Sequence, residues 1–226
     1  MTQNSKPIEY KFILLGDSLV GKSSLYLRLS GNEFSEGLLS TIGTEKIVIN
    51  FDNVEINQKE KKTKNFQIIL FDTAGQEKYR ALTKVYYKGT QGIILIYSIV
   101  DNDSFKHIET WLDSIKDSLS DWKNSGYMVM LLGNKLDVAE DNPEARMIST
   151  EECENFCSEK GIYWGGECSA KTFDENDLKE IFTKFIIQIY SKLGDKNIYN
   201  MNKNQKQLVT KHVNKETKIS KCCSPD

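Results

Sequence analysis

No apolar run in this 226-residue chain approaches the roughly 20 residues needed to cross a bilayer, and Met1-Thr2-Gln3-Asn4-Ser5-Lys6 has no apolar signal-peptide core behind it. The chain is therefore expected to be made and kept in the cytosol. Thr2 rather than Gly follows Met1, which excludes N-myristoylation. Histidine is scarce: His107 and His212 sit in unrelated regions. The cysteines number five, odd for a disulfide framework and misplaced in a cytosolic chain. Cys153 and Cys157 lie four apart on a predicted helix and Cys168 ends a predicted strand. A zinc site there would lack its fourth ligand, so all three read as small buried residues. No repeat at a solenoid period is present either.

What is present is enough apolar material for a sizeable core, 39% hydrophobic against 27% charged residues. The length suits one domain with a tail. Charge is unevenly spread. From Lys196 onward seven lysines face only Glu216 and Asp226, a balance of +5, so the rest carries −7 of the formal −2. An acidic body with a basic tail argues against nucleic acid as the domain's partner and suggests an anionic partner for the tail. Beyond Gly194 the Asn, Lys and Gln content leaves too little apolar surface to order the segment.

The stretch Gly16-Asp17-Ser18-Leu19-Val20-Gly21-Lys22-Ser23 has the spacing of a phosphate-binding loop, and it stands between the apolar run Phe12 to Leu15 and a helical pattern over Lys22 to Leu29. In that context Gly16 and Gly21 let successive N–H groups point at phosphate oxygens, and the helix N-terminus adds its positive end. Lys22 would reach the β and γ phosphates and the Ser23 hydroxyl would ligate Mg²⁺. Further strands are expected at Tyr10 to Leu15, Lys46 to Ile49, Phe66 to Phe71, Gly92 to Tyr97 and Tyr127 to Leu132. The near-continuous apolar runs among them suit strands covered on both faces. The charged run Gln58 to Asn65 is expected to cap a hairpin. Helical spacing marks Phe105, Ile108, Leu112, Ile115 and Leu119, and later Leu178, Ile181, Phe182, Phe185, Ile189 and Leu193. Between these, Ser149 with Glu152 suits a capping box for a helix that stops at Gly161. Alternating strands and helices predict a single doubly wound α/β domain.

Four more motifs accompany the loop. Asp72, at a strand end, can hold Mg²⁺ through a water, Gly75 can offer its N–H to a γ-phosphate, and Gln76 can orient an attacking water. Asn134-Lys135-Leu136-Asp137 offers a carboxylate able to accept from both the ring and exocyclic nitrogens of guanine, a donor pair adenine lacks. Glu167-Cys168-Ser169-Ala170-Lys171 would close over the base, and Thr41 has the short hydroxyl that completes Mg²⁺ coordination.

With these motifs in order over Tyr10 to Leu193, the sequence closely resembles the Ras superfamily of small GTPases, and within it the Rab family. Ser40-Thr41-Ile42-Gly43, Tyr86-Tyr87-Lys88-Gly89 and a terminal cysteine pair carry the Rab character. The resemblance implies a P-loop G domain, a six-stranded, mostly parallel sheet with its second strand antiparallel and five flanking helices. It implies GTP/GDP and Mg²⁺ as ligands and a catalytic set of Lys22, Thr41 in switch I and Gln76 in switch II. It also implies base reading by Asn134, Lys135 and Asp137 with the Ala170 N–H, and an edge-on contact from Phe34. The whole nucleotide contact set then runs Gly16, Asp17, Ser18, Leu19, Val20, Gly21, Lys22, Ser23, Ser24, Phe34, Thr41, Gly75, Asn134, Lys135, Asp137, Ser169, Ala170 and Lys171.

The sequence departs from the Rab pattern at Lys46, usually aromatic, at Phe71, usually Trp, and at Ser98, commonly acidic. Its inter-switch hairpin is longer by roughly eight residues, which loop-closure entropy tolerates. Leu19 stands where related loops have Gly or a small residue. An outward, exposed side chain is expected there, the sharper alternative being that its bulk alters nucleotide exchange.

A slow GTPase switch in vesicle and membrane trafficking is the implied function, with hydrolysis accelerated roughly 10³- to 10⁵-fold if a partner donates an arginine. Alternatives are a nucleotide-locked scaffold without significant turnover, or a divergent non-Rab member of the superfamily. Implied partners of this expected monomer are an exchange factor, a GTPase-activating protein, an escort protein, a GDP-dissociation inhibitor and trafficking effectors. The expected layout is a polar leader over 1–8, the G domain over 9–193 with an extended hairpin at 51–65, and the basic tail over 194–226. The final four residues match C-a-a-X poorly. Cys222-Cys223 instead resembles the Rab pair that is geranylgeranylated, which would place the protein on the cytoplasmic face of an intracellular or plasma membrane as well as in the cytoplasm. Two lipid chains would hold where one exchanges readily.

Overall fold

Strands buried on both faces must be apolar at every position, and the continuous runs in this sequence become the centre of a sheet of that kind. The computed structural model describes residues 6–36, 44–57, 60–73, 86–119 and 126–194. In chain order its main elements are β1 (Ile8–Leu15), α1 (Lys22–Leu29), β2 (Thr44–Asn57), β3 (Lys62–Thr73) and β4 (Gly92–Ser98), then α2 (Asn102–Ser118), β5 (Met128–Asn134) and α3 (Leu136–Asp141). The chain continues through α4 (Thr150–Lys160), β6 (Tyr163–Glu167) and α5 (Glu175–Leu193). The six strands form one sheet in the order β2-β3-β1-β4-β5-β6. All neighbours pair in parallel except β2, which runs antiparallel to β3. This is the expected doubly wound α/β fold, with five α-helices among the described residues.

Alternation along the central strands divides the core in two. Tyr10, Phe12, Leu14, Ile94, Ile96, Met130 and Leu132 face the layer built by α1 and α5. Ile13, Leu15, Ile93, Leu95, Val129 and Leu131 face the layer of α2 and α4. The edge strand β2 needs apolar residues on one face only, and there buried Ile49, Phe51 and Val54 alternate with exposed neighbours such as Val48 and Glu55. Every apolar position expected in α2 is buried except Leu119, which is its C-cap residue.

The charged run after β2 is shorter as a loop than expected, since Lys62 to Asn65 belong to β3. Pairing continues through Val54↔Lys64, Glu55↔Thr63 and Asn57↔Lys62, well past the Ile8↔Phe66 pair where β1 begins. Two register shifts and the positive φ of Asn53, whose N–H donates to Asn65 Oδ1 at 2.8 Å, twist this extension. The twist keeps Val54 against the core, and Phe66 meets Tyr190 of α5 edge-on at 5.6 Å. That apolar anchorage extends strand pairing into a polar sequence that alternation alone reads as loop.

Helix ends follow local chemistry. Ser149 Oγ accepts from the Glu152 N–H at 3.1 Å and Gly161, at φ +66°, closes α4 as expected. At α5 the Asp174 carboxylate accepts from Asp177 N–H while Asp177 returns a bond to the Asp174 N–H, a reciprocal cap built from two aspartates. Beneath the Tyr86-Tyr87-Lys88-Gly89 segment lies a buried cation: Lys11 Nζ donates to the carbonyls of Tyr86 and Lys88 and sits 5.1 Å from the Phe71 ring centre. Burial lowers its amine to about 8, and the two carbonyls and the ring supply the polarity it loses from water. Cys153, Cys157 and Cys168 are buried, and desolvation pushes the Cys153 and Cys157 thiols up to about 11 and about 12, which keeps them protonated and unreactive.

Candidate nucleotide-binding site

The loop over 16–23 leaves the C-terminal end of β1 at the middle of the sheet, where connections depart to either side, the position at which open α/β sheets bind ligands. Two glycines in it are sterically required. A Cβ on Gly16, at φ +140°, would stand 2.1 Å from the Ile96 carbonyl oxygen, and one on Gly21, at φ +100°, would stand 2.1 Å from Asn134 Nδ2. Leu19 lies between them at φ +65° with 77% of its surface exposed. Its side chain points outward as the sequence suggests, yet its backbone holds a left-handed conformation that costs a non-glycine residue roughly 1–2 kcal/mol. Leu19→Gly is therefore expected to raise the free energy of unfolding by about 0.5 to 1 kcal/mol after glycine's extra unfolded-state entropy is subtracted. Urea unfolding checks this, and a variant less stable than the parent would mean that Leu19 carries no strain.

Lys22 is 5% exposed, and its Nζ donates to the Asp17 carbonyl at 2.6 Å. Burial pulls its amine down to about 8, against the opposing charges of Asp72 and Asp17. An anionic phosphate is the ligand chemistry that such an amine best accommodates. Beside it Ser23 Oγ donates to Asp72 Oδ2 at 2.6 Å, bringing a residue of α1 and the end of β3 together. Two hard oxygen donors, one on a carboxylate that is 1% exposed, fit Mg²⁺ rather than a soft metal.

The far wall is organised by Asn134 at the end of β5. Its Nδ2 donates to the Val20 carbonyl at 2.8 Å, and its Oδ1 accepts the Ala170 N–H at 3.0 Å. One buried amide thus joins the phosphate loop to the loop after β6. Lys135, at φ +70°, turns the chain into α3, and Asp137 Oδ1 accepts from Ser169 Oγ at 2.6 Å. Ser169 Oγ in turn accepts the N–H groups of Lys171 and Thr172, so its proton is committed to Asp137 and the carboxylate is held in one orientation. The Lys171 ammonium lies 3.7 Å from Glu36, and Phe34 is half-buried against the α1–α5 core.

The structure therefore brings Gly16 to Ser24, Asp72, Asn134, Lys135, Asp137 and Ser169 to Lys171 to one end of the sheet. Thr41, Gly75 and Gln76 lie outside the described residues, as do Cys222 and Cys223. Three participants escape sequence reading. Arg28 donates to the Phe173 carbonyl at 2.9 Å through Nε, tying α1 to the loop after β6. Asp17, expected to serve only the nucleotide, gives its carboxylate to Trp111 Nε1 at 2.9 Å and to His107 Nδ1. The i, i+4 spacing of His107 and Trp111 was the available signal, but nothing local says that their face meets the loop.

Comparison with known proteins follows the same geometry. The family model described as "Ras family" matches residues 11–191. The chain is 39% identical over 194 residues to the Ras-related protein Rab-11B of Dictyostelium discoideum, covering 83% of this chain and 79% of that one. It is 35% identical over 194 residues to the Ras-related protein Rab-13 of Bos taurus, covering 86% of each. Against the Ras-related protein RABA4c of Arabidopsis thaliana it is 33% identical over 189 residues, 84% of this chain and 76% of the relative. Guanine-nucleotide binding follows from that kinship and agrees with the phosphate loop and the Asn134 wall brought together at the C-terminal end of the sheet, and the chain belongs to the Rab family of Ras-superfamily small GTPases, GTP-hydrolysing switches of membrane trafficking.

Proposed function

We propose that the residues gathered at this end of the sheet divide the work of the switch as follows, a reading supported above all by the Ser23–Asp72 contact beside the buried Lys22. Lys22 leaves the Asp17 carbonyl for the β and γ phosphates, where its charge is no longer a cost of burial. Ser23 and Thr41 would hold Mg²⁺ directly and Asp72 would hold it through a water. Held there, Mg²⁺ would supply positive charge to offset the negative charge that builds up on the phosphates. Gly75 N–H senses the γ-phosphate, and Gln76 orients the attacking water. Asn134 shapes the base pocket, Asp137 accepts both guanine donors, the Ala170 N–H, shared with Asn134 Oδ1, reaches the exocyclic carbonyl oxygen, and Phe34 closes the edge.

Residues 9–193 make up the G domain and 194–226 the basic tail, which Cys222 and Cys223 anchor to a membrane through two geranylgeranyl groups. An exchange factor, a GTPase-activating protein, an escort protein, a GDP-dissociation inhibitor and effectors act on this monomer. Among the described residues no helix is long and apolar enough to cross a membrane.

Gln76→Leu tests the hydrolytic reading. Leucine cannot hydrogen-bond the water, so single-turnover hydrolysis should slow about tenfold or more, while GDP affinity stays unchanged. Wild-type hydrolysis by this variant, alone and with an activating protein, would assign the step to another residue and favour turnover without Gln76.

A further inference from the structure

The phosphate loop carries more left-handed backbone than its own residues favour. Gly16 and Gly21 adopt positive φ without penalty, but Leu19 at +65° does not, so its conformation must be held by ties from outside the turn. One such tie is Asn134 to the Val20 carbonyl, on the side of the base pocket. On the opposite side the Asp17 carboxylate reaches α2, where Oδ1 accepts from Trp111 Nε1 at 2.9 Å and Oδ2 meets His107 Nδ1 at 2.5 Å. A carboxylate only accepts, so Nδ1 of His107 carries the proton in this contact. His107 and Trp111 stand one turn apart on the same face of the helix, and together they grip both oxygens of one carboxylate. Trp111 is fully buried and fixed by the core. The His107 side chain is 52% exposed, so packing does not call for an imidazole at that position.

We propose that His107 is a positioning residue for the nucleotide: with Trp111 it clamps Asp17 at two points, and the clamp holds Leu19 in its left-handed conformation with the loop N–H groups aimed at phosphate. Two donors, one on each oxygen, fix the plane of the carboxylate and, through it, the Asp17 backbone. The inference rests on the phosphate-loop reading given under Proposed function.

Release of mant-GDP from the full-length chain measures the effect directly. His107→Ala is expected to release the nucleotide about five- to tenfold faster, the loss of one hydrogen bond of ordinary strength, since solvent screens the half-exposed imidazole. His107→Asn places an amide donor near the position of Nδ1 and should keep release within about twofold of the parent, while His107→Gln, whose amide extends toward Nε2 instead, should behave like the alanine variant. In a Leu19→Gly background, where the loop no longer needs holding, His107→Ala should accelerate release by less than about twofold. Equal release by the alanine variant and the parent overturns the proposal, as does an asparagine variant as fast as alanine, or an acceleration undiminished by Leu19→Gly. A parent chain that binds no mant-GDP overturns the phosphate-loop reading and this one with it. Tight parental binding with an unmoved His107→Ala overturns this one alone.

Discussion

Asp137→Asn is expected to cost at least about 100-fold in GTP affinity, on the order of 3 kcal/mol, and to confer affinity for xanthosine triphosphate. The direction follows from the proton inventory around the side chain. Ser169 Oγ donates to Asp137 Oδ1, and that proton is not available elsewhere because the Ser169 oxygen already accepts two backbone N–H groups. An asparagine at 137 will therefore turn its carbonyl oxygen toward Ser169 and its amide nitrogen toward the base. The ring N–H and exocyclic amine of guanine then face a donor, whereas xanthine offers an oxygen at the exocyclic position. Titration with the two mant-labelled nucleotides separates the cases. Undiminished GTP affinity would mean that Asp137 does not read the base, and a loss of both nucleotides equally would point to a collapsed loop instead.

The sequence carries unequal information about the fold and the site. Strands such as Phe12 to Leu15 and Ile93 to Tyr97 are legible because a strand buried on both faces has no polar position to confuse the pattern, and their burial follows. Gly16 and Gly21 are legible because a phosphate loop repeats their spacing, and the contacts a Cβ would make there give the spacing its cause. By contrast, Lys62 to Asn65 look like a charged loop, since what draws them into β3 is Val54 packing across a bulge from the other strand. The α5 cap is hidden by composition: aspartate at both ends is an uncommon version of a motif usually written with serine or threonine and glutamate. Asp17 is the clearest case. Its place in the loop suggests phosphate, but its carboxylate belongs to a pair of residues about ninety positions away, and long-range pairing of single polar groups leaves no periodic trace.

Asn134→Ala should be the most disruptive single truncation at the site, for a reason separate from base recognition. Asn134 is 2% exposed and divides its amide between two loops, giving a proton to the Val20 carbonyl and taking one from the Ala170 N–H. Alanine leaves both backbone groups without that partner, in space too enclosed for free hydration. Each such group costs about 1–3 kcal/mol, so the loss should total about 2–6 kcal/mol, a large share of the roughly 5–15 kcal/mol that holds a domain folded. For a domain of this size the melting temperature should fall by about 5–15 °C, with nucleotide release accelerated in parallel because the phosphate loop and the base loop lose their common strut. Asn134→Asp sharpens the test. It keeps an acceptor for Ala170 but presents an oxygen to the Val20 carbonyl and buries a charge, so it should be at least as damaging as alanine even though it is the closer isostere. An aspartate variant that melts and releases GDP like the parent would show that the amide proton to Val20 does not hold the loop. Parental behaviour from the alanine variant would remove the strut altogether.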